Sequence, residues 1–144
     1  MTEELEARDE PIVFVFFGDH KPWMGNGNSV YTEIGVDLDV STLEGFYNYY
    51  ATPYVIYANE AARELLGSDF AGDGGDFSPC FLMARLFDEC GWEGLGLMQL
   101  QREMREVSPL MSSNGWRMQD GQLTAALEGA AEDENERYLR AQYY

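Results

Sequence analysis

Asp19 and His20 stand side by side just after the apolar run Ile12 to Phe17, with Gly18 between. A carboxylate beside an imidazole offers one hard oxygen and one borderline nitrogen donor. That pair suits a divalent cation such as Mn²⁺ or Zn²⁺. The position matters as much as the types, because open α/β sheets bind ligands beyond the carboxyl ends of their strands. Gly18 is expected to let the backbone turn tightly, so that both side chains face one ion. A catalytic metal site usually takes at least three protein ligands. The chain has a single histidine, so further ligands must be carboxylates or come from outside it. The competing reading is a loop cap next to a surface imidazole.

Aromatic residues gather around this point: Trp23, Tyr31, Tyr47, Tyr49, Tyr50 and Tyr54. Trp23 and Tyr31 are the candidate substrate-binding side chains, able to line a pocket or to face a sugar or glycerol group. The alternative use of the aromatics is packing. No nucleophile is assigned, because the chain has no G-x-S-x-G elbow, no Walker loop and no G-x-G-x-x-G. The sequence Gly-Asn-Gly-Asn at 25–28 lacks the Lys and the strand-loop-helix setting of a phosphate loop, so it reads as a flexible loop.

The elements that must position these residues follow from pattern. Residues 2–9 read as the end of a helix, broken by Pro11. Ile12 to Phe17 is a continuous β-branched and aromatic run, expected to be a strand buried on both faces in a parallel sheet. Residues 24–40 read as a long loop. Ser41 and Glu44 form an S-x-x-E capping box for a helix through Tyr50, and a second short strand covers Tyr54 to Tyr57. Asn59 caps a helix that reaches Leu66 and stops at Gly67, before a loop at 71–76. Ser78 and Pro79 open a helix with Leu82, Met83, Leu86, Phe87 and Cys90 on one face, closed by Gly91. A further helix runs from about Leu95 to Val107. Residues 114–124 read as a hairpin around Asp120-Gly121. An acidic tail from Glu128 to Glu136 then leads to a helical fragment from Arg137 to Tyr144. A doubly buried strand needs neighbours on both edges. One strong and one weaker strand hardly supply them, so the chain is expected to be part of a larger α/β domain.

Composition excludes whole classes of partner. Nine basic against 26 acidic residues give a formal charge of −17, which argues against nucleic acid and against electrostatic docking on an anionic membrane. No stretch approaches the roughly 18–20 apolar residues of a membrane span. The start, MTEELEARDE, is acidic and polar, so no leader is expected on the chain as written. Cys80 and Cys90 are expected on one helix, about 15 Å apart at 1.5 Å per residue, too far for a mutual disulfide. They read as buried thiols.

The segment EPIVFVFFGDHKPWMG resembles the strand and metal loop of lipoteichoic acid synthase-like proteins, within the alkaline phosphatase/sulfatase superfamily. The likeness continues through NSVYTEIGVDLD, EGFYNYYATPYVIYAN and DFSPCFLMARLFDECGW, then NGWRMQDGQLT and RYLRAQYY, covering residues 1–144 from about Glu10 onward. The resemblance implies the carboxyl-terminal portion of a three-layer alkaline-phosphatase-like α/β fold, with few strands and several helices. It implies that Asp19 and His20 bind a divalent metal, manganese first, with magnesium or zinc as alternatives. It also implies transfer or hydrolysis of phosphate or sulfate esters, with lipid-linked phosphoglycerol as a substrate of the complete enzyme. The family's threonine nucleophile, a further acidic ligand and its substrate-binding histidines lie upstream. None of Thr32, Thr42 or Thr52 takes the nucleophile's place, so the isolated chain is expected to be inactive and to need the amino-terminal part of the domain. Full-length relatives are membrane-anchored and extracytoplasmic. A true sulfatase would need a Cys or Ser modification motif that this sequence lacks. The rival from another class is a small acidic protein-interaction module with no metal role.

Overall fold

The computed structural model describes residues 2–142. Met1, Tyr143 and Tyr144, and with them the end of the RYLRAQYY segment and of the expected last helical fragment, lie outside these. The order is α1 (Thr2–Glu6), β1 (Val13–Phe17), α2 (Ser29–Glu33), α3 (Leu43–Tyr50), β2 (Tyr54–Ala58), α4 (Glu60–Leu66), α5 (Leu82–Glu89), α6 (Gly96–Val107), β3 (Arg117–Gln119), β4 (Gln122–Thr124) and α7 (Ala130–Gln142). Helix and strand are mixed, compatible with the α/β class in general. The chain divides into two units, one of Met1–Val15 with Ile56–Tyr144 and the other of Phe16–Val55.

The first unit holds a helical core. Phe81, Met104, Leu127, Ala131 and Tyr138 form a buried cluster, with Phe77, Leu100, Val107 and Met111 packed against it. The Phe81 and Tyr138 rings lie 6.0 Å apart. Removing an aromatic of this size from water contributes roughly 1.5–3 kcal/mol. Asp88 of α5 takes ion pairs from both Arg102 and Arg105 of α6. Arg102 also donates to the Trp92 and Glu93 carbonyls at 2.7 and 2.6 Å, which closes the intervening loop. The helix face expected over α5 needs a correction. Leu82 and Ala84 are buried, whereas Met83 is half exposed. Cys80 is also exposed and lies in a short 3₁₀ turn before α5, so only Cys90 is a buried thiol. The last helix starts at Ala130, not near Arg137, because Ala131 and Tyr138 lie seven residues apart on one inward stripe. The 3–4 hairpin has Asp120 at φ 51° and Gly121 at φ 75°, the pair of positive angles a type I′ turn requires.

Asn59 organises the amino-terminal part of this unit. Fully buried, it accepts from Ala62 N as the cap of α4 and from Ile12 N. Its amide nitrogen donates to the carbonyls of Leu5, Arg8 and Glu10. One side chain thus satisfies a helix start and three loop carbonyls. Gly67 ends α4 at φ 67°, as expected.

Strands β1 and β2 form a two-stranded sheet. Asn59 N donates to Ile12 O at one end and Gly18 N to Pro53 O at the other, so the strands run antiparallel. This corrects the expected doubly buried parallel strand: no residue of β1 is buried, and Phe16 and Phe17 are half exposed. The β-branched and aromatic run creates a strand, but burial of both faces needs covering layers. Among the described residues no further strand joins this sheet.

In the second unit, residues 24–40 are not simply a loop. A 3₁₀ turn at Asn26–Asn28 leads into α2. The cap of α3 is Thr42, whose hydroxyl accepts from Gly45 N at 3.0 Å, and not Ser41, whose hydroxyl donates to Asp39. Gly45 is required for space, since a Cβ there would collide with the Asp39 backbone. Phe46 is buried against the ring of Tyr50, 4.9 Å away.

Candidate metal centre

The loop after β1 lies wholly in the second unit, and its two chemical residues come together. Asp19 Oδ1 accepts from the His20 backbone N–H at 2.8 Å, a bond to the adjacent residue that orients the carboxylate. Its other oxygen, Oδ2, stands 3.5 Å from His20 Nε2. Two atoms bound to one divalent ion at about 2.0–2.2 Å lie roughly 3–3.5 Å apart. The pair therefore has the separation of neighbouring ligands.

The other ring nitrogen sets the tautomer. His20 Nδ1 lies 2.9 Å from the Lys21 carbonyl oxygen. A carbonyl can only accept, so Nδ1 carries the proton and Nε2 keeps the lone pair in the neutral ring. A proton on Nε2 or a bound cation would each satisfy the facing carboxylate. The same hydrogen-bonding pattern, Nδ1–H to a backbone carbonyl with Nε2 free, is common among metal-bound histidines.

Both side chains are exposed, 76% for His20 and 81% for Asp19. Water screens their mutual attraction, and the pair adds little to stability by itself. Among the described residues no group of three or more His, Cys, Asp or Glu side chains is placed to hold an ion.

The loop is anchored on both sides by residues that no chemical motif singled out. Thr52 Oγ1 donates to Gly18 O at 2.6 Å. Lys21 Nζ donates to Asn48 O at 2.6 Å and Tyr47 O at 3.4 Å, at the carboxyl end of α3, where a cation is favoured. The expected reason for Gly18 is corrected. It is not among the positive-φ residues. A Cβ there would lie 2.9 Å from Thr52 Cβ, so glycine is needed for the close approach of the threonine.

No family model, curated protein or solved structure matches this chain.

The candidate substrate residues differ from one another. Tyr31 gives its hydroxyl to the Pro22 carbonyl at 3.0 Å and so braces the loop after β1. Trp23 is 67% exposed. Tyr47 and Tyr50 pack around Phe46, and Tyr49 against Tyr50, within or beside α3. Their spacing in sequence serves helix packing. No helix among the described residues is long and apolar enough to cross a membrane.

Proposed function

We propose that residues 18–24 are the metal-binding loop of a carboxyl-terminal piece of a lipoteichoic acid synthase/sulfatase-like catalytic domain, with Asp19 and His20 as two of the ligands. The observation that carries this reading is the 3.5 Å separation of Asp19 Oδ2 and His20 Nε2, with the second atom of each group already hydrogen-bonded elsewhere. The fold implied for the complete domain is the three-layer alkaline-phosphatase-like type, and the reaction is transfer or hydrolysis at a phosphate or sulfate ester such as lipid-linked phosphoglycerol. When bound, the divalent cation, manganese by preference, neutralises charge developing on the ester oxygens. Asp19 supplies an anionic oxygen and His20 a neutral nitrogen, while Tyr31 and Lys21 keep the loop that bears them in place. The nucleophile and remaining ligands belong to other parts of the complete domain.

The half-exposed Phe16, Phe17, Trp23 and Met24 flank the loop on a chain of charge −17. They favour a second reading, an acidic interaction module whose apolar residues meet another protein. Titration of the metal-free chain with Mn²⁺, followed by paramagnetic broadening of the His20 ring protons, separates the two. The metal reading expects the ring protons to broaden before those of Trp116 or Tyr138, and Asp19→Asn to remove the preference. Equal broadening in wild type and Asp19→Asn would leave only the interaction module.

A further inference from the structure

We infer that Thr52 and Lys21 are positioning residues for the Asp19–His20 pair, fixing His20 as the Nδ1–H tautomer with Nε2 directed at the Asp19 carboxylate. The inference rests on the metal reading for what the pair binds, but the tautomer itself is a property of the metal-free loop.

The two chemical residues are bracketed. On the strand side, Gly18 is held through both its backbone groups: its carbonyl accepts from the Thr52 hydroxyl at 2.6 Å, and its N–H donates to Pro53 O at 3.0 Å. Methyl and hydroxyl of Thr52 also sit against Gly18, at 3.3 and 3.4 Å from the place a Cβ would occupy. On the other side, Lys21 sends its ammonium to two carbonyls of the last turn of α3. Tyr47 O also accepts from Ala51 N at 2.9 Å, and a cation beside the carboxyl end of a helix gains from its dipole. Lys21 is also the residue whose own carbonyl holds His20 Nδ1. Its side chain therefore fixes the backbone unit that chooses the tautomer. Without these anchors, exposed Asp19 and His20 have no buried packing to hold them, and the Nδ1 bond is lost to water.

The test reads the ring nitrogens of His20 in the full chain by long-range ¹H–¹⁵N correlation. It is run at mildly alkaline pH with a chelator present. The only histidine in the sequence gives a single ring spin system. Wild type is expected to show the Nδ1–H pattern. Thr52→Val removes the hydroxyl at nearly constant shape and Lys21→Met removes the ammonium but keeps a long chain; both are expected to shift the ring toward the Nε2–H pattern of an unrestrained histidine. Thr52→Ser, which keeps the hydroxyl, is expected to restore the wild-type pattern. In each folded variant that loses the tautomer, the Mn²⁺ concentration for half-broadening is expected to rise about tenfold, the lower end of outer-sphere effects on metal sites. An Nε2–H ring in wild type, or an unmoved ring in Thr52→Val and Lys21→Met, overturns the inference. Should Thr52→Val fail to fold, Lys21→Met on the surface of the loop and the wild-type spectrum decide it alone. A wild-type ring with the Nδ1–H pattern but no selective Mn²⁺ broadening defeats the metal reading and leaves the positioning intact.

Discussion

Phe81 and His20 belong to regions built on opposite principles. Phe81 is completely buried in the first unit, among Met104, Leu127, Ala131 and Tyr138. His20 is three-quarters exposed in the second unit and is placed by hydrogen bonds along the backbone of its loop. The helical core is over-determined, since many apolar atoms agree on one arrangement. The loop of residues 18–22 is determined by seven polar contacts, each contributing roughly 0.5–1.5 kcal/mol in net terms. Its geometry therefore depends on a few donors and acceptors that can be removed one at a time.

The largest effect expected is in the core. Phe81→Ala should lower stability by about 3–5 kcal/mol through lost burial and a cavity, seen as a fall in the urea midpoint at unchanged slope. Phe17→Ala, at a half-exposed ring of β1, should cost about 1 kcal/mol or less. Equal losses would mean that the end of β1 is covered as fully as the core, and the contrast between the regions would fail.

Asn59→Asp is the next test. A cap alone would tolerate this change, because Asp caps as well as Asn. Here the amide nitrogen serves the carbonyls of Leu5, Arg8 and Glu10 in a fully buried place. A carboxylate facing three carbonyl oxygens has no donor to offer unless it is protonated. The expected cost is about 2–4 kcal/mol at neutral pH, measured by chemical denaturation, with partial recovery on acidification. A neutral outcome would reduce Asn59 to its capping role.

How much of this could be read from residues alone divides along the same line. Helix α4, with Asn59 before it and Gly67 after it, helix α6 and the Asp120-Gly121 turn are set by contacts within a few residues, and each is where the pattern places it. The 3.5 Å approach of Asp19 Oδ2 to His20 Nε2 is likewise between adjacent residues. What was not legible is set by long separations. The Thr52 hydroxyl meets Gly18 across 34 residues, and Lys21 reaches Asn48 across 27. Nothing in the spacing of Ser41 and Thr42 says that Asp39 takes the serine hydroxyl and leaves the cap to the threonine. The run from Ile12 to Phe17 announces a strand but cannot say what covers it, because burial belongs to the layers around a strand.

A smaller effect tests a polar contact in the first unit. Glu6 accepts from the Arg63 guanidinium and the Tyr57 hydroxyl, and these hold its carboxyl below the ordinary glutamate range. A depressed folded value means stability that is present above the unfolded value, about 4.3, and is lost as pH falls through the folded one. Glu6→Gln should therefore flatten the decline of the urea midpoint between about pH 5 and pH 3, while leaving the decline due to other carboxylates. An unchanged slope would show that this half-buried triad does not persist in solution.

The smallest effect on stability should be at the site itself, and a pair of variants separates its two roles. Asp19→Asn keeps an Oδ1 acceptor for the His20 N–H and removes only the charge; it should leave the urea midpoint within about 0.5 kcal/mol of wild type. Asp19→Ala removes the acceptor as well and should cost up to about 1 kcal/mol, the worth of one exposed turn bond. The charge then contributes nothing to folding, which is what a ligand reserved for a cation requires, since an isolated carboxylate used by the fold would be missed when it is neutralised. If Asp19→Asn proves as costly as Asp19→Ala, the carboxylate is holding the loop through its charge. The contrast with the core would then narrow, because the loop would be using for its own structure the group it was expected to offer to metal.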